Sequence, residues 1–190
     1  MKKTSIFTST IIFFFFSCQQ AENKKVENQP KGTFDEAVET EAIMKTIENE
    51  TNCFFAGNYE CWASNWSHEK YAMQAWNNED GTFDAAIGWD KISTQGKDWI
   101  EKYYKNGKNV IHPVVKKEKP LVKFFNDSTA YLIWKQYNAD QENKFYKISQ
   151  ESRIMEKQSD GWKIVNVTAL WNAKSNIPKD SLQFIIPRIE

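Results

Sequence analysis

Two histidines, seven glycines and three cysteines are all that 190 residues contain of these types, and each scarcity closes off a class of function. His68 and His112 stand in no His/Asp/Glu cluster with metal-ligand spacing, so no metal site is expected. The glycines form no phosphate-cradling loop, and no serine sits in a nucleophile elbow. No cofactor is therefore expected. Lys+Arg and Asp+Glu both number 25, so no basic field exists to gather nucleic acid. The longest apolar run, which ends at Phe16, is too short to span a bilayer. Aromatic residues, by contrast, are plentiful. With 8 Trp and 13 Phe, the chain can build a core or wall a pocket.

The N-terminus "MKKTSIFTSTIIFFFFSCQQ" has two lysines, an apolar run, and then Ser17-Cys18. It reads as an export signal over residues 1–17. A cysteine after a small residue at the end of such a run resembles a bacterial lipoprotein signal. That resemblance implies that Cys18 is acylated and anchors the protein to a bacterial membrane. An ordinary secretory signal with a chance cysteine is the alternative; the place of Cys18, where the run stops and polar sequence begins, favours lipidation. Gln19 is not the Asp that retains lipoproteins on the inner membrane, which favours the outer membrane, with the domain in the periplasm or at the surface. Loss of residues 1–17 leaves 23 basic against 25 acidic residues. Residues 18–32 are polar and charged and form a flexible tether. The domain is placed at 33–174, with a C-terminal extension at 175–190.

Within the domain, helical spacing runs from Asp35 to Phe55, through Val38, Ile43, Ile47 and Phe54, with acids early. Gly57 supplies a stop and Asn58 caps a short second helix carrying Trp62 and Trp66. "KYAMQAW" and "TFDAAIG" read as short strands around the turn "NNEDG". A third helix follows Asp90, with Ile92, Trp99, Ile100, Tyr103 and Tyr104 on one face and Gly107 at its end. The rest is strand. "NVIHPVVKKE" holds Pro113 and so belongs at an edge, where His112 is structural or exposed. "LVKFFND" turns into "TAYLIWKQYNA", and "NKFYKISQESRIMEK" turns at Ser159-Asp160-Gly161 into "WKIVNVTALWN". Helices ahead of long antiparallel strands predict an α+β domain: a strongly curved antiparallel sheet with helices packed on its concave side.

This order of elements resembles the nuclear transport factor 2-like superfamily, in its SnoaL-like and ketosteroid-isomerase-like branches. The matching stretches are "FFAGNYECWASNW", "GWDKI", "STAYLIWKQY" and "ESRIMEKQSDGWKIV". The resemblance covers about residues 36–173 and implies a cone with a pocket at its wide end. It also implies a possible homodimer through the outer face of the sheet.

Strand parity groups the polar candidates. Trp134 and Gln136 share a face; Glu151, Arg153 and Met155 share another. On the last strand, Asn166 goes with Trp162, Ile164 and Thr168, opposite Val165, Val167, Ala169 and Trp171. A Glu151–Arg153 pair on a strand is often a solvated surface pair. The resemblance places it in the cavity, where Arg153 can hold a planar polar group. Trp66, Trp76, Trp89, Trp134 and Trp171 individually suit a core, but five together exceed core needs and point to pocket walls, with Tyr71 and Tyr104 adding hydroxyls. His68, read plainly a loop histidine, lies where the family's cavity opens. It is a candidate catalytic or binding group at the mouth, with Tyr71 beside it. Catalytic residues stay unknown, His68 and Glu151 being the candidates. Ketosteroid-isomerase chemistry needs a base carboxylate near Gln74–Trp76, and "YAMQAW" has none.

Cys53 and Cys61 flank the helix elbow and form a possible disulfide in an oxidising compartment, two buried thiols being the alternative. Three functions follow from these features. The favoured one is a lipid-anchored binder of a small apolar or aromatic ligand with a polar end. The others are an acid–base enzyme using the same pocket and an envelope protein-interaction module.

Overall fold

A computed structural model describes residues 34–105, 108–109 and 114–182. Cys18 and the tether, Gly107, His112 and residues 183–190 of the C-terminal extension lie outside the described residues, so the expectations placed on them are carried no further here. The element order is α1 (Glu36–Phe55), α2 (Tyr59–Ala63), β1 (Met73–Asn77), β2 (Phe83–Ile87), α3 (Trp89–Tyr103), β3 (Tyr104–Lys105), β4 (Lys108–Asn109), β5 (Val115–Lys117), β6 (Leu121–Asn126), β7 (Thr129–Ala139), β8 (Phe145–Gln158), β9 (Gly161–Pro178) and α4 (Lys179–Leu182).

The helix boundaries follow local chemistry. Asp35 caps α1 by accepting from the backbone N–H groups of Ala37 and Val38, and Asn58 caps α2 by accepting from Cys61 N–H. Gly57 turns the chain between them at φ +70°, a conformation that favours glycine. This elbow brings Cys53 and Cys61 to a Cα–Cα distance of 5.6 Å, where the structure joins them as a disulfide.

The main sheet of seven strands runs β2-β1-β9-β8-β7-β5, with β6 also on β7. The α+β architecture is the one expected. β1 and β2 form the predicted hairpin, and β7, β8 and β9 are the long antiparallel strands. β1 pairs with β9 in parallel, Met73 opposite Asn166 and Trp76 opposite Ala169. β9 continues past residue 174 to Pro178, so the start of the extension is strand, and Leu182 of α4 is buried against Tyr137 and Tyr146.

The helices cover the concave face. Ile43 and Ile47 of α1, Trp62 of α2 and Ile92 of α3 meet Leu132, Trp134, Met155, Trp162 and Ile164 in one core. Trp162 is 4% exposed, and its indole N–H donates to Glu39 of α1 at 2.7 Å. Gly96 allows α3 to lie directly on the Trp62 ring; a Cβ there would clash with three of its atoms.

Simple alternation on β9 fails in the middle of the strand. Ile154 pairs with Asn166 but Met155 pairs with Ile164, so Val165 is an extra residue in the ladder. The bulge reverses parity. Trp162 and Ile164 face inward before it; Val167 and Ala169 face inward after it. A bulge also bends its strand, which adds to the curvature that a cone requires.

Candidate functional site

The concave face encloses a cavity of about 600 Å³. Its mouth is bordered by Asn78, Glu79, Asp140, Lys147 and Asn176, and an ion pair joins Lys147 to Glu79 there. Its deep end holds Glu50, Trp62, Glu151, Arg153 and Val167. A second hollow, lined by Glu48, Asn52 and Lys117, shares Thr51, Phe55 and Val115 with the first.

The walls are aromatic. Trp76 of β1 and Trp99 of α3 lie with ring centroids 4.7 Å apart, and Phe54 meets Trp99 edge-on at 6.4 Å. Trp62 and Trp171 complete the surface.

One wall carries a continuous chain of side-chain hydrogen bonds across β7 and β8. Trp134 Nε1 donates to Gln136 Oε1 at 3.2 Å, and Gln136 Nε2 donates to Asn138 Oδ1 at 2.8 Å. Asn138 Nδ2 donates to Ser149 Oγ at 3.0 Å, and Ser149 Oγ donates to Glu151 Oε1 at 2.6 Å. Arg153 Nη1 closes the chain on Glu151 Oε2 at 2.9 Å, while its guanidinium sits over the Trp134 ring at 5.0 Å. Parity explains the assembly. Alternate residues of two paired antiparallel strands share one face, and Glu151 lies directly opposite Trp134. Each member satisfies its neighbour, as buried polar groups must.

Opposite this wall is Glu50 of α1. Its Oε1 accepts from Trp62 Nε1 at 2.7 Å. Its Oε2 lies 3.3 Å from Thr51 Oγ1, which is also 3.0 Å from the Ile47 carbonyl. Burial raises the Glu50 carboxyl above its ordinary value, against the opposing pull of the Arg153 charge and the Trp62 N–H. Lys117 of β5 is pushed the other way, below its ordinary range, by burial and then by Arg153.

Of the residues predicted for the site, Trp76, Gln136, Glu151, Arg153 and Trp171 line the cavity. Trp134 stands just behind, in the core, as a partner of Gln136 and Arg153. The others lie elsewhere. Trp66 is 2% exposed and bridges to Ile164 in the core. Trp89 stacks between Trp62 and His68. Asn166 lies on the other face, turned there by the bulge, with Thr168 donating to it at 3.2 Å. Tyr104 is on β3, packed against Gly57. His68 and Tyr71 are not at the mouth. His68 is exposed, with Nε2 3.0 Å from the Ala63 carbonyl, and Tyr71 donates to Glu156 at 2.9 Å. Because β1 runs parallel to β9, the residues before it lie at the β8–β9 turn, the end opposite the mouth.

Sequence reasoning missed Glu50, Trp62, Trp99, Asn138 and Ser149. A signal for Glu50 was present: it falls on the same helical stripe as Ile43, Ile47 and Phe54, where a carboxylate is out of place. Trp99 shares a helical face with Ile92, Ile100 and Tyr103, and Trp99 and Tyr103 of that face wall the cavity.

No family model and no curated protein matches the sequence. Solved structures do match the fold. An NTF2-like protein with a cystatin-like fold from Novosphingobium aromaticivorans aligns over 73% of this chain and 85% of its own, at 14% identity and TM-score 0.54. A candidate scytalone dehydratase from the same organism aligns over 75% of this chain and 93% of its own, at 11% identity and TM-score 0.54. The association domain of CaMKII from C. elegans covers 70% of this chain and 96% of its own, at 16% identity and TM-score 0.52. Likeness at such low identity is likeness of backbone: the described domain has the nuclear transport factor 2-like cone fold.

Proposed function

We propose that this protein is an exported, lipid-anchored binder of a small apolar or aromatic molecule with a polar end, held in the cone. The observation that carries the reading is the cavity of about 600 Å³ with Trp62, Trp76, Trp99 and Trp171 on its walls and one polar chain along β7 and β8. Flat apolar walls with a few fixed polar groups suit a ring-shaped ligand. Because Glu151 and Arg153 already neutralise each other, the preferred ligand is neutral. The test is native mass spectrometry of the purified full chain: a bound small molecule is expected, and it should be lost in Trp76→Ala combined with Trp99→Ala. Failure of neutral aromatic compounds to bind the wild type at all would refute the reading.

A second reading has support in Glu50. A carboxyl raised by burial faces a cavity that also holds an ion-paired carboxylate, and two such environments suit acid–base catalysis. Turnover of a bound ligand, abolished by Glu50→Gln, would favour it.

For the address, Cys18 is proposed as the acylated residue, with the protein in a bacterial envelope, on the outer membrane. Cys18→Ser should move the protein from the membrane to the soluble fraction; unchanged fractionation, with no acyl mass on the N-terminal peptide, would refute this. A homodimer through the convex sheet face is proposed from the exposure there of Leu121, Leu170, Phe83 and Ile87. Sedimentation of Leu170→Lys as a monomer, against a wild-type dimer, is the expected result.

A further inference from the structure

We propose that the hollow beside the cone binds an α-amino acid with an apolar side chain, its carboxylate held by Lys117 and its ammonium by Glu48. The site goes beyond the aromatic reading of the cone and stands apart from it. The hollow, of about 610 Å³, lies between the C-terminal half of α1 and the edge strand β5. Glu48, Thr51, Asn52 and Phe55 fall at positions i, i+3, i+4 and i+7 of the helix, so they share one of its faces. Val115 and Lys117 share one face of β5, and Lys117 lies opposite Gln136, a residue that lines the cone. Helix and strand therefore turn these side chains into the same space.

Unspent polar capacity sets this hollow apart from the cone. In the cone, the polar side chains of β7 and β8 bond to one another along the wall. In the hollow, Glu48, Asn52 and Lys117 make no side-chain hydrogen bond and no ion pair among the described residues, although all three line it. Glu48 and Asn52 are exposed at the rim, and Lys117 is half-buried. A half-buried ammonium needs an acceptor. Burial and then the Arg153 charge act against the Lys117 charge, and Glu48, Glu50 and Glu151 offset them without closing on it as an ion pair. A ligand carboxylate against Lys117 supplies the acceptor. An anion alone would meet repulsion from Glu48, the acid of the same hollow. A zwitterion does not: its ammonium meets Glu48 while its carboxylate meets Lys117. Asn52 serves both groups, its amide N–H donating to the carboxylate and its carbonyl accepting from the ammonium. Such a ligand adds no net charge to a hollow that already balances one acid against one base. Phe55 and Val115 are left to face its side chain, which makes an apolar one the best match.

The test is calorimetric titration of the purified full-length protein, at neutral pH and low salt, with leucine and two analogues: leucinamide, which lacks the carboxylate, and N-acetylleucine, which lacks the ammonium. Leucine also has no ring to engage the aromatic walls of the cone. It should bind about tenfold or more tighter than either analogue, and added salt should weaken it, because the rim is open to solvent. Lys117→Met should remove the advantage of leucine over leucinamide, and Glu48→Gln its advantage over N-acetylleucine. An unchanged far-UV circular dichroism spectrum shows that each variant is folded, and the comparison of the three probes on the wild type stands without them. N-acetylleucine binding as tightly as leucine overturns the proposal in favour of a simple carboxylate site at Lys117. Leucinamide binding as tightly overturns it in favour of a cation site at Glu48. Loss of leucine binding in Trp76→Ala combined with Trp99→Ala places the amino acid in the cone and overturns it as well. Absence of leucine binding refutes the site and leaves the aromatic reading of the cone, which neutral aromatic compounds test, untouched.

Discussion

Replacing Arg153 by Ala tests the energetics of the cavity wall most directly. Glu151 is 2% exposed and Arg153 9%, so neither charge has water to fall back on. Three favourable contacts disappear with the guanidinium: the 2.9 Å bond to Glu151, the bond to the Ser152 carbonyl and the placement over Trp134. Glu151 keeps only Ser149 Oγ, at 2.6 Å. An ion pair in this position contributes little net stability over an apolar substitute, but stranding one partner costs about 3–5 kcal/mol. That is a large share of the roughly 5–15 kcal/mol that a domain has in total. Urea titration at neutral pH should show the loss as a lowered midpoint with an unchanged slope. The double variant Glu151→Met with Arg153→Met, which removes both charges and fills the volume, should recover most of it. A loss below about 1 kcal/mol for Arg153→Ala would refute the reasoning, because it would mean that water entering from the mouth already solvates Glu151.

Four further outcomes are expected. Trp162→Ala should cost about 3–5 kcal/mol by denaturant titration, since the ring is buried and bonded to Glu39; a loss below about 1 kcal/mol would place the ring at the surface. Glu39 is held below its ordinary carboxylate value of 4.5 by hydrogen bonds from Lys157 and then Trp162. Its contribution is therefore present above that value and lost as pH falls through the lower folded value, so Lys157→Met should flatten the acid limb of the stability curve. Gly96→Ala gains helix propensity but drives a Cβ into the Trp62 ring; a net loss of about 1–3 kcal/mol is expected, and a gain would show that α3 can slide. Removing the Cys53–Cys61 bridge, whose separation is 8 residues, should cost about 2–3 kcal/mol, read as the shift in urea midpoint on replacing both cysteines by serine.

Local and periodic signals carried the architecture. Asp35, Gly57 and Asn58 announce helix ends through their own backbone and side-chain chemistry, and α1 and α2 begin and end accordingly. Alternation along "WKQY" and "SQESR" was enough to put Trp134 with Gln136 and Glu151 with Arg153, because a strand's parity depends on nothing beyond the strand. Tertiary structure decided what local rules cannot carry. The bulge at Val165 is a property of the β8–β9 register, and it moved Asn166 to the other face while bringing Val167 inward. The parallel pairing of β1 with β9 set which end of the cone receives His68 and Tyr71, and chain order is silent on strand direction. Glu50 lay in plain view on an apolar helical stripe, but only the approach of Trp62 and Arg153 from other elements turned an oddity of pattern into a carboxyl at the base of a cavity. Sequence by itself settled which residues form each element and which neighbours share a face; the pairing of distant strands, which no local preference encodes, decided which of those faces meet.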